Sequence, residues 1–174
     1  TTRIILVEAA DRLLRTLPPQ LSARAQRDLE RMGVEVRLHT PVTAIDRHAV
    51  RIGDETLPAA NVLWAAGVQA SPLARTLGLP NAALDRSGRV LVEPDLSVPG
   101  QRNVFIAGDL ASVSDPRTHQ PVPGIAPAAI QMGRYIARII RKETTNHPAP
   151  PRPPFTYFDK GMLATIGKAL AVGV

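Results

Sequence analysis

The chain has 174 residues, of which 44% are hydrophobic, and its mean hydropathy of −0.02 predicts a soluble globular protein with one core or two small ones. Cysteine is absent, which excludes disulfides, thiolate nucleophiles and cysteine-bound metal within this segment, and the four histidines show no metal-ligand spacing. The net charge of +6 fits nucleic acid, an anionic surface or no specific partner. Aromatic residues are only 3% of the chain, so we predict no nucleic-acid partner.

The first forty residues predict a βαβ unit. The apolar run "RIILVEA" has the length of a strand covered on both faces. Pro18 and Pro19 open a helical pattern that Gly33 closes, and "VEVRLH" follows as a second strand. A right-handed crossover makes the two strands parallel.

The middle of the chain predicts shorter elements. Residues 41–58 contain alternating runs separated by polar turns, which indicates an antiparallel hairpin or meander. "NVLWAAG" (61–67) predicts a buried strand, and Ser71-Pro72 predicts the cap of a short helix that reaches Leu77.

The last part of the chain predicts two more strands, "GRVLVEPDLSV" and "NVFIAGD", and a long helix over 125–142. "NHPAPPRPP" ends this helix, and two or three short strands are expected around the "DKG" sequence that follows. Arg134, Arg138, Arg141 and Lys142 share one face of the long helix. This face is either solvated or docks on an anionic surface.

Three predicted strands end in residues that suit a ligand, because ligands bind beyond the carboxyl ends of parallel strands. Glu8 ends the first strand, Ala66 and Gly67 end "NVLWAAG", and Gly108 with Asp109 ends "NVFIAGD". A carboxylate at Glu8 would accept the ribose hydroxyls of NAD and repel the 2′-phosphate of NADP; the alternative is a turn residue. Small residues permit either close approach of a ligand or close helix packing.

The order "ILVE", "VLWAAGV", "VEPDLSVPGQRNVFIAGDLA" resembles the pyridine nucleotide-disulfide oxidoreductase superfamily of flavoprotein reductases. The resemblance implies an α/β fold that binds two dinucleotides, FAD and NAD(H), in three layers with a parallel sheet and short antiparallel strands. In that family the acid of the last segment binds the ribityl chain of the flavin. Gly108 and Asp109 are therefore expected to contact FAD.

The segments "GIAPAAIQMGRYIARII" and "FTYFDKGMLATIGKALAV" are similar to the C-terminal part of type II NADH dehydrogenases. This similarity implies hydride transfer from NADH to FAD and electron transfer to a membrane quinone. Ala126, Pro127 and Lys160 are then expected beside the flavin, and Gln131 beside the quinone. Many members have a glutamine where Pro127 stands, and the alternatives are a solvent-facing turn for Lys160 and an exposed helix face for Gln131.

The resemblance also implies a domain organisation: residues 1–88 belong to the NAD(H) domain, 89–147 to the FAD domain, and 148–174 form a Pro-rich linker and the start of a C-terminal region. We expect a fragment, inactive alone, of a parent bound peripherally to the cytoplasmic face of the inner membrane through a missing C-terminal tail. A homodimer is one expected assembly. The alternatives are a ferredoxin or rubredoxin reductase, and an inert interaction module.

Overall fold

A computed structural model of the chain describes residues 2–79, 83–145, 148 and 150–174. The chain forms two compact units: unit 1 contains Thr1–Ala65 and Gly161–Val174, and unit 2 contains Ala66–Lys160. The domain boundaries expected after residues 88 and 147 stay predictions. Residues 146, 147 and 149, which include part of the predicted linker, lie outside the described residues.

Unit 1 begins with the predicted βαβ unit, which is confirmed. Strand β1 (Ile4–Val7) pairs in parallel with β2 (Val34–Arg37), and helix α1 (Pro19–Arg31) connects them. Proline suits the first turn of α1 because the N–H that it lacks has no partner within the helix.

A meander follows, as the alternating pattern predicted. Strands β3 (Ala44–Ile45), β4 (Ala49–Ile52) and β5 (Glu55–Pro58) form a three-stranded antiparallel sheet. The turn between β4 and β5 contains Gly53 at a φ of +58°. This conformation is one that glycine adopts without steric cost.

The buried strand predicted over residues 61–67 is wrong. The segment forms no strand, and the side chains of Leu63 and Trp64 are 93% and 63% exposed. A strand of a parallel sheet is buried only between neighbouring strands and covering helices. Within the described residues, the β1–β2 sheet has two strands and offers no partner to this segment. Ala66 and Gly67 therefore do not end a strand.

Unit 2 contains short strands instead of the two long ones predicted. Strand β6 (Val90–Leu91) pairs in parallel with β9 (Ala111–Ser112). Strand β7 (Ser97–Val98) pairs in antiparallel fashion with β8 (Gln101–Phe105). The Pro99-Gly100 turn folds β7 back on β8, so the strand before Gly108 ends at Phe105 and belongs to a hairpin.

Two helical elements complete unit 2. A 3-10 helix over Pro72–Leu77 is capped by Ser71, whose Oγ accepts a hydrogen bond from the N–H of Leu73, as predicted. Helix α2 (Ala126–Thr145) confirms the long helix. It buries one face, including Met132 and Tyr135, in a core shared with the short strands.

The chain ends in unit 1 with the hairpin of β10 (Leu163–Ile166) and β11 (Leu170–Gly173), which confirms short strands in this region. Ile166 and Val172 form a separate small core with Leu17 and Ala25 of the α1 region. Each of the two units thus has its own hydrophobic core.

In the part of the chain that the structure describes, we find no helix with both the length and the apolar character needed to cross a bilayer.

Candidate functional site

Gly108 occupies a tight turn that packs on helix α2. It begins the 3-10 turn Gly108–Leu110 at a φ of +68°. A Cβ added at this position would lie 3.4 Å from the Cβ of Ala129, and the Gly108 nitrogen lies 3.3 Å from Met132 Sδ. Glycine is therefore favoured by the backbone conformation of the turn, while an added Cβ would only reach van der Waals contact with the helix.

Asp109 presents a free carboxylate next to the start of the helix. Its side chain is exposed, and its Oδ1 lies 3.5 Å from the position that a Cβ would take at Gly124, in the loop before α2. Within the described residues, the carboxylate accepts no hydrogen bond. Its lone pairs are thus available to a ligand that carries hydroxyl groups.

The N-terminus of α2 has one free donor. The N–H groups of Ala128 and Ala129 donate to the carbonyl of Ile125 at 3.0 and 3.1 Å, and Pro127 has no N–H. The N–H of Ala126 donates no hydrogen bond within the described part of the chain. This free donor lies at the positive end of the helix dipole, which favours negative charge.

Gln131 is held by the backbone of Phe158. Its Nε2 donates to the Phe158 carbonyl at 2.9 Å, and its Oε1 accepts from the Phe158 N–H at 2.9 Å. The amide therefore bonds a peptide backbone in the way a neighbouring strand would. The sequence predicted a polar residue on this helix face, but not its partner, which lies 27 residues further along the chain.

The side chains of Asp115 and Arg117 bond the backbone of Tyr157, the residue before Phe158. The buried Asp115 carboxylate accepts from Arg117 Nη2 at 3.0 Å and from the Tyr157 N–H at 2.8 Å. Arg117 Nη2 also donates to the Tyr157 carbonyl at 2.6 Å. The Arg117 side chain, together with the N–H groups of Arg117 and Tyr157, holds the pKa of Asp115 well below its ordinary value.

Sequence reasoning missed this group, because "SDPR" in a Pro-rich loop has the composition of an ordinary turn. Burial, and then the negative charge of Asp159, raise the pKa of the Tyr157 hydroxyl. Asp115, Arg117 and Gln131 thus bond the backbone of the two residues before Asp159, which are Tyr157 and Phe158.

Lys160 is exposed and lies two residues beyond Phe158. Two residues of chain extend over about 7 Å at most, so fixing Phe158 restricts where Lys160 can lie. Both residues belong to unit 2.

Glu8 lies in unit 1, where it forms a turn after β1. Its Oε1 accepts from the N–H of Ala10 at 2.8 Å, and its carbonyl accepts from the N–H of Thr40. Within the described residues, Oε2 accepts no hydrogen bond. The turn role is thus present, and one carboxylate oxygen stays available to a ligand.

Most of the residues expected beside the flavin and the quinone lie on α2 or in the turn that packs near its start. Ala66 and Gly67 are exposed and form no part of this group. The residues of this group are Gly108, Asp109, Ala126, Pro127 and Gln131.

A family model described as pyridine nucleotide-disulphide oxidoreductase matches residues 1–133. The chain belongs to this family. The match covers the βαβ unit, the Gly108-Asp109 turn and the first part of α2. It confirms the superfamily that the strand-end motifs indicated.

Curated relatives in this family include a type II NADH:quinone oxidoreductase of Mycobacterium tuberculosis, 43% identical over 98% of this chain and 37% of the relative. A protein of the same name from Staphylococcus haemolyticus is 30% identical over 99% of this chain and 42% of the relative. The chain thus spans about two fifths of the length of these relatives.

Solved structures share the fold. The NDH2 of Plasmodium falciparum, solved in complex with NADH, matches 98% of this chain and 49% of its own with a TM-score of 0.84 and 16% identity. The reduced CoADR-RHD of Bacillus anthracis matches 95% of this chain and 28% of its own with a TM-score of 0.76 and 22% identity. The mixed α/β fold class predicted from the sequence is confirmed.

Proposed function

We propose that the chain is part of an FAD-dependent NADH:quinone oxidoreductase, whose complete form transfers a hydride from NADH to FAD and then electrons to a membrane quinone. The observation that carries the proposal is the packing of the Gly108-Asp109 turn on the start of α2. The turn and the helix lie in a chain that aligns over 98% of its length with a type II NADH:quinone oxidoreductase.

The residues of this site fit part of a flavin. Gly108 allows the backbone to approach a ligand closely, and Asp109 can accept hydrogen bonds from ribityl hydroxyls. The Ala126 N–H and the dipole of α2 favour negative charge, as would the ammonium of Lys160. Pro127 keeps the first helical turn and supplies no donor. When bound, FAD would supply the capacity to take a hydride from NADH and to give electrons to an acceptor.

We also propose that Glu8 of unit 1 contacts the dinucleotide NAD(H). The free Oε2 of Glu8 would accept a ribose hydroxyl, and its charge would oppose a 2′-phosphate. We therefore propose NADH as the reductant. Ala66 has a small side chain and Gly67 has none, so a dinucleotide could approach the backbone there.

We also propose a domain organisation for the chain, and a location and an assembly for the parent protein. Residues 1–88 would belong to the NAD(H) domain, 89–147 to the FAD domain, and 148–174 to a linker and C-terminal region. Gln131 would lie on the quinone side. The parent would bind the cytoplasmic face of the inner membrane peripherally through a tail beyond this chain, and would form a homodimer.

Steady-state kinetics of the full-length protein test the proposal. With a soluble quinone as acceptor, NADH should give a higher kcat/KM than NADPH, and Glu8→Gln should reduce this preference by about tenfold, which corresponds to about 1.4 kcal/mol. The amide oxygen of glutamine can still accept from Ala10, so the substitution removes the charge and keeps the turn. Asp54→Asn, an exposed charge removal in the turn between β4 and β5, is the control and should leave the preference unchanged.

Two results would contradict the proposal. A protein that uses NADPH as well as NADH would refute the role of Glu8. A protein that reduces a ferredoxin or rubredoxin and leaves quinone unreduced would belong to the alternative class of reductases.

A further inference from the structure

A segment of unit 2 after α2, residues 150–158, forms neither a helix nor a strand, and we name it the strap. Within the described residues no hydrogen-bonded strand flanks it, yet Phe155 and Tyr157 are buried while Thr156 and Phe158 are exposed. This alternation is typical of a strand with one buried face.

Side chains and loops take the place of neighbouring strands along the strap. Arg152 donates to Glu143 and Asp95, and the Tyr135 hydroxyl donates to the Pro153 carbonyl. The Phe155 N–H donates to the Pro94 carbonyl at 2.7 Å. The strap is therefore anchored along its length before it reaches Tyr157.

At its end, the strap has four consecutive backbone groups bonded by side chains. Asp115 accepts from the N–H of Tyr157, Arg117 donates to its carbonyl, and Gln131 bonds both groups of Phe158. The arrangement fixes the backbone of Phe158 on helix α2.

The side chain of Phe158 is nevertheless 66% exposed. A large exposed aromatic ring on a fully fixed backbone is a preformed contact surface, because little conformational freedom is lost when a ligand binds to it. Gln131 lies five residues after the first residue of α2, which is about 7.5 Å along the helix axis. The ring is thus attached close to the helix end that the proposed function assigns to the flavin.

We propose that the ring of Phe158 is a contact surface for a flat, apolar electron acceptor, and that Gln131 acts on acceptor binding by positioning Phe158. This inference rests on the proposed function and names a further residue of its acceptor side. A quinone ring has the flat shape that stacks on an aromatic side chain. Both hydrogen-bonding ends of the Gln131 amide are already engaged, which favours the indirect role over direct binding of a quinone carbonyl.

A double-mutant cycle in the full-length enzyme tests this order of action. We expect Phe158→Ala to raise the KM for a soluble quinone about tenfold and Gln131→Ala about threefold, with flavin reduction by NADH unchanged in stopped flow. The double variant should match Phe158→Ala, because Gln131 has no further effect once the ring is absent. Phe158→Tyr keeps the ring and should retain the wild-type KM.

A second variant, Gln131→Glu, tests the positioning role through the pH dependence of the KM for quinone. In Gln131→Glu, an ionised carboxylate cannot donate to the Phe158 carbonyl, whereas the protonated acid both donates and accepts. Its KM for quinone should therefore fall toward the wild-type value as the pH is lowered, while the wild-type KM changes less. Amide exchange at Phe158 should accelerate in Gln131→Ala. Ile130→Ala, which shortens an exposed side chain of α2, is the control and should change neither quantity.

The outcomes separate the inference from the proposed function. If the wild-type enzyme does not reduce quinone, the proposed function fails and the acceptor contact fails with it. If quinone is reduced but the two single effects multiply, Gln131 binds the acceptor directly and the inference is overturned. It is also overturned if Phe158→Ala slows flavin reduction and quinone turnover equally, since Phe158 would then be a packing residue.

Discussion

Arg152 offers the sharpest test of how the strap is held. Its side chain is 5% exposed, and its guanidinium donates to Glu143 through Nε and Nη2 at 2.6 and 2.9 Å. Nη1 donates to Asp95 at 3.0 Å and to the Arg102 carbonyl at 2.8 Å. The guanidinium carbon also lies 4.8 Å from the ring centre of Phe105.

Replacing Arg152 with alanine would leave two carboxylates without their counterion. Loss of one partner of a buried ion pair costs about 3–5 kcal/mol. The side chains of Asp95 and Glu143 are 16% and 27% exposed and can regain some water, which favours the lower end of that range. Loss of the contact with Phe105 adds about 0.5–1 kcal/mol. We therefore expect the free energy of unfolding to fall by about 3.5–4 kcal/mol.

Urea denaturation of the purified protein, followed by circular dichroism, measures this change as a lower midpoint at unchanged slope. The control is Arg3→Ala, which breaks an exposed pair with Glu35 and should cost no more than about 1 kcal/mol. Arg152→Lys keeps the charge but loses the planar fork, so its stability should lie between wild type and Arg152→Ala. If Arg152→Ala costs no more than the control, the strap is held by its apolar contacts and the reasoning is refuted.

Two further predictions concern the rest of unit 2. Because Arg117 lowers the pKa of Asp115 in the folded state, the carboxylate stabilises the fold at neutral pH, and this contribution should be lost as the pH falls below about 4, the unfolded value. Urea midpoints between pH 6 and 3 should therefore fall less steeply in Asp115→Asn, and parallel curves would contradict the assignment. Gly108→Ala should lower the free energy of unfolding by about 1–2 kcal/mol, because alanine is strained at a φ of +68°. If this strain shifts the turn that carries Asp109, the flavin content of the full-length protein, measured by flavin absorbance, should fall as well. Gly53→Ala imposes similar strain in the turn between β4 and β5 and should leave the flavin content unchanged; equal losses of flavin in both variants would refute the role of the Gly108-Asp109 turn.

The elements confirmed from the sequence are those whose signals are local. The βαβ unit follows from an apolar run, a proline pair at a helix start and a closing glycine. Helix α2 and the cap at Ser71 are likewise set by side chains within a few residues of each other. Their energies depend on short-range spacing, which the sequence displays directly.

The prediction of a strand at 61–67 was wrong because the formation of a buried strand depends on distant parts of the chain and not on local spacing. Its apolar residues satisfy the pattern of a buried strand, but burial requires hydrogen-bonded neighbours and covering helices that the pattern cannot supply. Around Gly108, the motif identified the turn, whereas the strand before it was shortened because the Pro99-Gly100 turn set a hairpin register.

The family and its flavin residues could be proposed from the sequence by itself, since they depend on motifs: the Gly108-Asp109 pair, the start of α2 and the position of Lys160. The long-range partners of Gln131, Asp115 and Arg152 could not be predicted, because these partners lie 9 to 57 residues away in the chain. No sequence period links such positions. Only the tertiary structure decides which backbone groups of the strap Gln131 and Asp115 reach, and which carboxylates Arg152 pairs with, since these contacts depend on how the strap packs on unit 2.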